Sequence, residues 1–147
     1  MLVDQRLMDD IASIVREAID ANFESKNRQR RLGWPPLSEL YVEFLRRYRP
    51  RRDPSILLKD EGRLSQSIDV ETDKNKVIAE TNLKYAAIHQ FGGKAGRGHR
   101  ATIPPRPYIA FLDEDVDDMT AVVTDQISQK IANLISKAVA REFGRGL

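Results

Sequence analysis

The feature that most restricts how this chain can fold is a run of prolines behind a pair of glycines. Residues 103–107 read Ile-Pro-Pro-Arg-Pro. Proline lacks the backbone N–H and has a fixed φ, so this segment is predicted to be extended and to lie at an edge. Gly92 and Gly93 tolerate positive φ, so the apolar run at residues 85–91 is predicted to end there. A polar, basic loop is predicted over residues 94–102.

Apolar residues at spacings of three and four predict helices at both ends of the chain. The first is predicted over residues 3–24, and the polar, basic residues 25–32 are predicted to form a linker or a frayed extension. Ser38 is a suitable N-cap for a short helix that ends near residue 48. Asp113 is predicted to cap the last helix, an amphipathic segment of about twenty-five residues that begins with several acids.

The middle of the chain predicts a small antiparallel sheet. Alternating apolar and polar residues predict a strand over residues 63–70, and the composition of residues 72–75 is typical of a turn. Residues 76–81 are predicted to be the return strand of this hairpin. A third strand is predicted over residues 108–111.

A short helix that contains residues 85–91 is predicted between these strands, with Asn82 as its cap. Phe91 is predicted to be buried beneath the sheet together with Tyr85 and Ile88. The predicted fold class is α+β, in one domain over residues 1–147. In this arrangement a small, mainly antiparallel sheet, made of the hairpin plus a third strand, packs against a long C-terminal helix and an N-terminal helix.

The composition excludes several kinds of chemistry. Cysteine is absent, which excludes disulfides, thiolate zinc sites and cysteine nucleophiles. Of the two histidines, His99 lies among basic residues that repel a cation, and His89 is predicted to hydrogen-bond backbone near the glycine pair. We predict no catalytic, metal-binding or cofactor-binding residues. No apolar run approaches the length of a membrane span, and we expect synthesis in the cytosol and no membrane contact.

Charge is unevenly distributed along the chain, although the formal net charge is only +2. Residues 1–25 carry two basic and six acidic groups, residues 26–59 carry ten basic and three acidic, and residues 113–147 carry four basic and seven acidic. A basic middle between acidic ends favours head-to-tail contacts between copies of the chain, or contact with nucleic acid. The densest positive patch is the arginine cluster, which consists of Arg46, Arg47, Arg49, Arg51 and Arg52.

The arginine cluster has two interpretations. Arginine pairs well with phosphate, and Tyr48 is interleaved with the cluster, which favours contact with DNA. Acidic surfaces of partner proteins are the interpretation that we favour, because both ends of the chain are acidic and offer such surfaces on neighbouring copies. No nucleic-acid-binding module matches the spacing of the basic residues.

Two motifs in the middle of the chain resemble one known family. Residues 85–93 read YAAIHQFGG and residues 103–111 read IPPRPYIAF. This combination resembles the phage virion morphogenesis family, which includes Mu-type tail-completion and neck proteins of tailed phages. Pro105 stands where that family more often has a small residue, and motifs around Trp34 extend the resemblance upstream. The positions that carry the family motif are Tyr85, His89, Gln90, Phe91, Gly92, Gly93, Pro104, Arg106 and Pro107.

The resemblance implies a structural virion protein rather than an enzyme. The implied role is to complete the tail and join it to the head, at the neck or the head-proximal tail end. The implied partners are copies of the chain in a ring and adjacent tail-tube, tail-terminator or connector proteins. The alternative is a neck protein that uses the arginine cluster to contact packaged DNA non-specifically or to line the lumen. The implied location is the virion, and the host cytoplasm during assembly. The predicted interface residues are Lys94, Arg97 and Arg100 of the loop, together with Arg46, Arg47, Arg49, Arg51 and Arg52.

Overall fold

Helices dominate the computed structural model, which describes residues 2–58 and 62–146 of the chain. Within these residues the two longest helices lie near the two ends of the chain, and shorter helices and two hairpins lie between them in sequence. The elements in chain order are α1 (Gln5–Glu24), α2 (Lys26–Arg31), α3 (Glu39–Tyr48), α4 (Arg63–Gln66), β1 (Asp69–Asp73), β2 (Lys76–Glu80), α5 (Ala86–Phe91), β3 (Gly93–Ala95), a 3₁₀ turn (Arg97–His99), β4 (Ala101–Ile103) and α6 (Asp113–Arg145).

Helix α1 confirms the predicted N-terminal helix. The Asp4 carboxylate accepts a hydrogen bond from the Leu7 N–H at 3.0 Å, which satisfies one of the free donors of the first turn. The predicted linker at residues 25–32 is wrong, because most of it forms helix α2. The Ser25 hydroxyl accepts the Arg28 N–H at 3.2 Å, so this serine both ends α1 and caps α2.

The predicted hairpin is confirmed in strands β1 and β2, whose register runs from Asp69 opposite Glu80 to Asp73 opposite Lys76. Its first strand begins at Asp69, however, and the predicted strand over residues 63–68 is wrong because Arg63–Gln66 forms helix α4. Leu64 and Ile68 are both buried. A spacing of four puts two residues on one face of a strand and also on one face of a helical turn, so the pattern did not separate the two.

The predicted loop over residues 94–102 contains a second hairpin. Strands β3 and β4 pair antiparallel, from Gly93 opposite Ile103 to Ala95 opposite Ala101. The predicted third strand over residues 108–111 is wrong, since no strand forms there. The described chain therefore has two separate two-stranded sheets rather than one hairpin with a third strand, and the α+β fold class is confirmed.

The core lies between α1, the first hairpin and the segment before α6. Phe23 of α1 lies at its centre, with its ring stacked on Tyr108 at 5.5 Å and edge-on to Trp34 at 6.3 Å between centroids. Helix α3 is confirmed, and Ser38 caps it by accepting the Tyr41 N–H. The cluster of buried residues comprises Val15, Ile19, Phe23, Trp34, Leu57, Leu64, Ile68, Ala86 and Tyr108.

Helix α6 runs antiparallel to α1 and is longer than predicted, with 33 residues instead of about twenty-five. Asp113 is the first helical residue rather than the cap, and the Asp115 carboxylate accepts the Leu112 N–H at 2.8 Å. At the N-terminal end of α1, the Asp4 carboxylate pairs with the Lys130 ammonium of α6 at 2.6 Å. The part of α6 that follows Lys130 extends beyond the start of α1.

Candidate functional site: the motif segment and the arginine face

Gln90 fixes the backbone that follows the proline run. Its side-chain oxygen accepts the N–H groups of Tyr108 at 3.0 Å and Ile109 at 3.1 Å, and its amide nitrogen donates to the Ile109 carbonyl at 3.0 Å. The Arg106 N–H donates to the His89 carbonyl at 2.8 Å. One glutamine thus satisfies three backbone groups of an extended segment that has no partner strand.

Side chains from the N-terminal third of the chain complete this arrangement. Asn22, which is fully buried, donates to the carbonyls of Tyr108 at 2.9 Å and Ala110 at 2.8 Å. The Trp34 indole N–H donates to the Pro107 carbonyl at 2.9 Å. These bonds explain why no third strand forms, because the backbone groups that would pair with a strand are taken by side chains.

Sequence reasoning did not identify Asn22, nor Gln29, whose amide donates to the Asn22 and Phe23 carbonyls. Asn22 follows Val15 and Ile19 at a spacing of three or four, so it lies on the buried stripe of α1. A polar residue on such a stripe is the signal that indicates a buried hydrogen-bonding role.

Arg106 joins the motif segment, which comprises residues 85–93 and 103–111, to the entry of helix α3. It is 6% exposed, and its guanidinium donates to the Pro35 carbonyl at 2.8 Å and the Pro36 carbonyl at 3.0 Å. Burial lowers the pKa of Arg106, but an arginine stays charged in a protein and carbonyl oxygens satisfy its donors here. Because Ser38, the N-cap of α3, lies two residues after Pro36, Arg106 helps to set the position of α3.

The glycine pair closes the turn between α5 and the second hairpin. Gly92 has φ of +74°, and a Cβ at this position would lie 2.9 Å from the Ile103 carbonyl oxygen and from the Pro105 ring. Both the backbone conformation and the space therefore require glycine at residue 92. Pro104 and Pro107 are half-buried beside this turn, and residues 103–107 are extended as predicted.

The prediction that His89 hydrogen-bonds the backbone through its side chain is wrong. Its Nδ1 is buried and has no partner among the described residues, while its ring packs edge-on against Tyr85 at 5.9 Å. Burial, and then the nearby Arg106 guanidinium, lower the pKa of His89. His89 is therefore held in its neutral form at neutral pH.

The prediction that Phe91 is a buried anchor is also wrong, because its side chain is 77% exposed. Tyr85 is 40% exposed, and Ile88 is half-buried. Burial in this region is achieved instead by Ala86 and Tyr108, whose hydroxyl donates to the Ala86 carbonyl at 2.8 Å. Helix α5 begins at Ala86, with Tyr85 rather than the predicted Asn82 in the capping position.

Two basic surfaces flank the motif segment. The second hairpin exposes Lys94, Arg97 and Arg100, and the Lys94 ammonium donates to the Thr102 hydroxyl at 2.6 Å. The arginine face consists of the exposed side of α3 and the turn after it. It carries the arginine cluster, in which Arg46, Arg47, Arg49 and Arg51 are exposed and Arg52 is half-buried.

Aromatic side chains lie among these arginines. Tyr41 stacks on Phe44 with 6.0 Å between centroids, Phe44 lies 4.9 Å from Tyr48, and the Arg47 guanidinium lies 5.6 Å from the Tyr48 centroid. The three rings are 41%, 49% and 63% exposed. Only Leu45 of α3 is buried, so the apolar stripe of this helix largely faces solvent.

A groove of about 1000 Å³ separates the arginine face from the second hairpin. Its walls are formed by the start of α3, the start of α5, and strand β4 with the prolines behind it. Tyr41, Arg52, Tyr85 and Thr102 are among the side chains that line it. The groove brings together the predicted family residues Tyr85, His89, Pro104 and Arg106, and Arg49 and Arg52 of the arginine cluster also line it.

Among residues 2–58 and 62–146, no group of three or more histidine, aspartate or glutamate side chains is arranged to hold a metal ion. Of the helices in the same ranges, none combines the length and the apolar character that crossing a membrane requires.

Comparison with known proteins gives two matches and one negative result. A sequence model of the phage virion morphogenesis family matches residues 2–139. The protein named Mu-like prophage FluMu G protein 2, from Haemophilus influenzae, is 37% identical over 119 residues, which cover 81% of this chain and 75% of that protein. No solved structure matches the chain.

Proposed function

The chain belongs to the phage virion morphogenesis family, and on that premise we propose that it acts at the neck or the head-proximal end of the tail. In this role it completes the tail and joins it to the head, as part of a ring of identical copies. It enters the virion after assembly in the host cytoplasm. Its neighbours are tail-tube, tail-terminator or connector proteins.

The arginine face is the observation that carries this proposal. Tyr41, Phe44 and Tyr48 are all more than 40% exposed and lie among four exposed arginines. Arginine and aromatic residues are enriched at protein interfaces, where rigid rings supply contact area and guanidinium groups bind carboxylates. We infer that this face docks on an acidic surface of a neighbouring virion protein.

The family motif supports the same function in a second way. Arg106 binds the carbonyls of Pro35 and Pro36, and α3 begins three residues after Pro36. Gln90 and Asn22 hold the segment on the other side of Arg106. The motif therefore serves to present the arginine face in a fixed orientation, and a preorganised surface loses less entropy when it binds.

Reversal of charge on the arginine face tests the proposal. In a phage or prophage that encodes this chain, the double variant Arg46→Glu and Arg47→Glu should produce separate heads and tails, counted by electron microscopy of lysates. Both residues are exposed, so the purified variant should keep its melting temperature. The control, Lys74→Glu with Lys84→Glu, makes the same charge change at exposed residues elsewhere. Normal particles from the Arg46/Arg47 variant would refute the proposal.

Contact with packaged DNA is the second candidate function, and the stacking of Arg47 on Tyr48 is the observation that favours it. A DNA-contacting arginine face would bind duplexes of any sequence, with an affinity that falls steeply as salt rises. A gel shift of wild-type protein at low and physiological salt measures this. Sequence-independent binding that weakens as salt rises but is still measured at physiological salt, together with normal assembly by the Arg46/Arg47 variant, would favour DNA over a protein partner.

A further inference from the structure

The distal arm, defined as residues 131–145 of helix α6, lies at the surface of the described chain along its whole length. Every residue from 131 to 146 is exposed. The last contacts of α6 with the N-terminal region come from Lys130, which pairs with Asp4 and donates to the Leu2 carbonyl at 2.8 Å. At a rise of 1.5 Å per residue, the arm extends about 22 Å past that point.

The distal arm exposes a stripe of large apolar side chains. Ile131, Leu134, Ile135, Val139 and Phe143 follow one another at spacings of one, three or four, and they are 43%, 60%, 59%, 47% and 75% exposed. An isolated helix of this length is marginal in water, because propensity alone barely offsets the cost of ordering it. A large, continuous exposed apolar stripe indicates a surface that another molecule covers.

Charge indicates what covers it. The arm carries Lys137, Arg141 and Arg145 against a single acid, Glu142. An acidic apolar surface therefore suits the arm, and a second basic surface such as the arginine face does not. The N-terminal end of the same helix offers such a surface.

The first turns of α6 form the acidic end, defined as Phe111, Asp113, Val116, Asp117 and Asp118. Phe111 and Val116 are 40% and 48% exposed, and the three aspartates are exposed around them. The two acids that lie between Asp113 and Val116 already form ion pairs, because Glu114 pairs with Arg31 and Asp115 with Arg28. The acidic end thus combines exposed apolar side chains with negative charge, as the arm combines apolar side chains with positive charge.

The two surfaces cannot meet within one molecule. Lys137 and Asp117 belong to one continuous helix and are separated along it by about 30 Å, at 1.5 Å per residue. We propose that the distal arm of one copy docks on the acidic end of a second copy of this chain. The contact is built from apolar side chains at its centre and ion pairs at its rim.

This inference deepens the ring proposed above and rests on it, but it concerns a different surface from the arginine face. A contact between two different patches repeats from copy to copy, and it closes into a ring when the rotation between copies allows. The test uses purified full-length protein without heads or tails. Its failure therefore leaves the separate test of head–tail joining unaffected.

The experiment is a charge swap measured by analytical ultracentrifugation over a range of concentrations. Wild type should self-associate. The arm variant, Lys137→Glu with Arg141→Glu, should associate at least about tenfold more weakly, because it places like charges together. The acidic-end variant, Asp117→Lys with Asp118→Lys, should behave in the same way. An equal mixture of the two variants should recover association, since each negative arm then meets a positive end.

Two further variants test whether the change in association is specific to these two surfaces. Leu134→Gln with Ile135→Gln should weaken association without a charge change, and circular dichroism checks that α6 stays helical. Lys74→Glu with Lys84→Glu repeats the charge change of the arm variant elsewhere and should associate as wild type does. The proposal is overturned if wild type stays monomeric, if the variants associate normally, or if mixing them restores nothing. Failure of mixing alone would mean that the arm contacts a surface of the second copy other than the acidic end.

Discussion

The Asn22 side chain makes three hydrogen bonds, two of them to the segment that precedes α6. Its amide donates to the Tyr108 and Ala110 carbonyls, and its oxygen accepts the Arg28 guanidinium N–H at 2.9 Å. The replacement Asn22→Ala removes all three bonds. Arg28 keeps its ion pair with Asp115, so the main cost falls on the two carbonyls.

The size of the effect follows from those two groups. A buried polar group that loses its partner costs about 1–3 kcal/mol, and the half-buried Ala110 carbonyl should cost about 1 kcal/mol, so the loss of both bonds should destabilise the fold by about 2–4 kcal/mol. A chain of this size loses about 2–4 °C of melting temperature for each kcal/mol, and the expected decrease is therefore roughly 4–16 °C. Asn22 and Tyr108 are fully buried, so water does not reach the Tyr108 carbonyl without further rearrangement.

Thermal unfolding monitored by circular dichroism tests this prediction, since it gives the melting temperature of each variant. Asp20→Ala is the matched control, because Asp20 is exposed on the same helix and its loss should change stability by less than about 0.5 kcal/mol. Asn22→Asp separates the donors from the acceptor, since aspartate still accepts from Arg28 but cannot donate to the carbonyls. It should destabilise at least as much as alanine does. An Asn22→Ala melt within a degree or so of the Asp20→Ala control would refute the reasoning.

Two further predictions concern the motif segment. Gly92→Ala should lower the melting temperature clearly, because φ is +74° and the added Cβ meets the Ile103 carbonyl oxygen at 2.9 Å; Gly144→Ala, a helical position with open space, should not lower it. His89 has a lowered pKa, so the stability that it contributes is present above the unfolded-state pKa of 6.5 and is lost as pH falls through the folded-state pKa. As the pH falls from about 7.5 to about 5.5, the melting temperature of wild type should therefore decrease more than that of His89→Gln. A constant difference over that interval would contradict the burial of His89.

The sequence by itself determined the elements whose signals are local. Ser38 caps α3 as predicted, because a serine side chain reaches the N–H groups of the next turn whatever the tertiary context. The hairpin of β1 and β2 follows from strand alternation around a short polar turn. The turn at Gly92 and the extended segment of prolines that follows it were also predictable, because both follow from intrinsic backbone preferences.

Only the tertiary structure decided how the backbone between Pro107 and Ala110 is satisfied. Its composition suits a strand, but Gln90, Asn22 and Trp34 take its hydrogen bonds first, and two of these side chains come from more than seventy residues away. The same holds for exposure. The periodicity of α6 predicts an apolar stripe over its whole length, yet the covered part ends where α1 begins, near Lys130. A repeating pattern shows which side of a helix is apolar, whereas the length of the neighbouring helix decides how much of that side is buried.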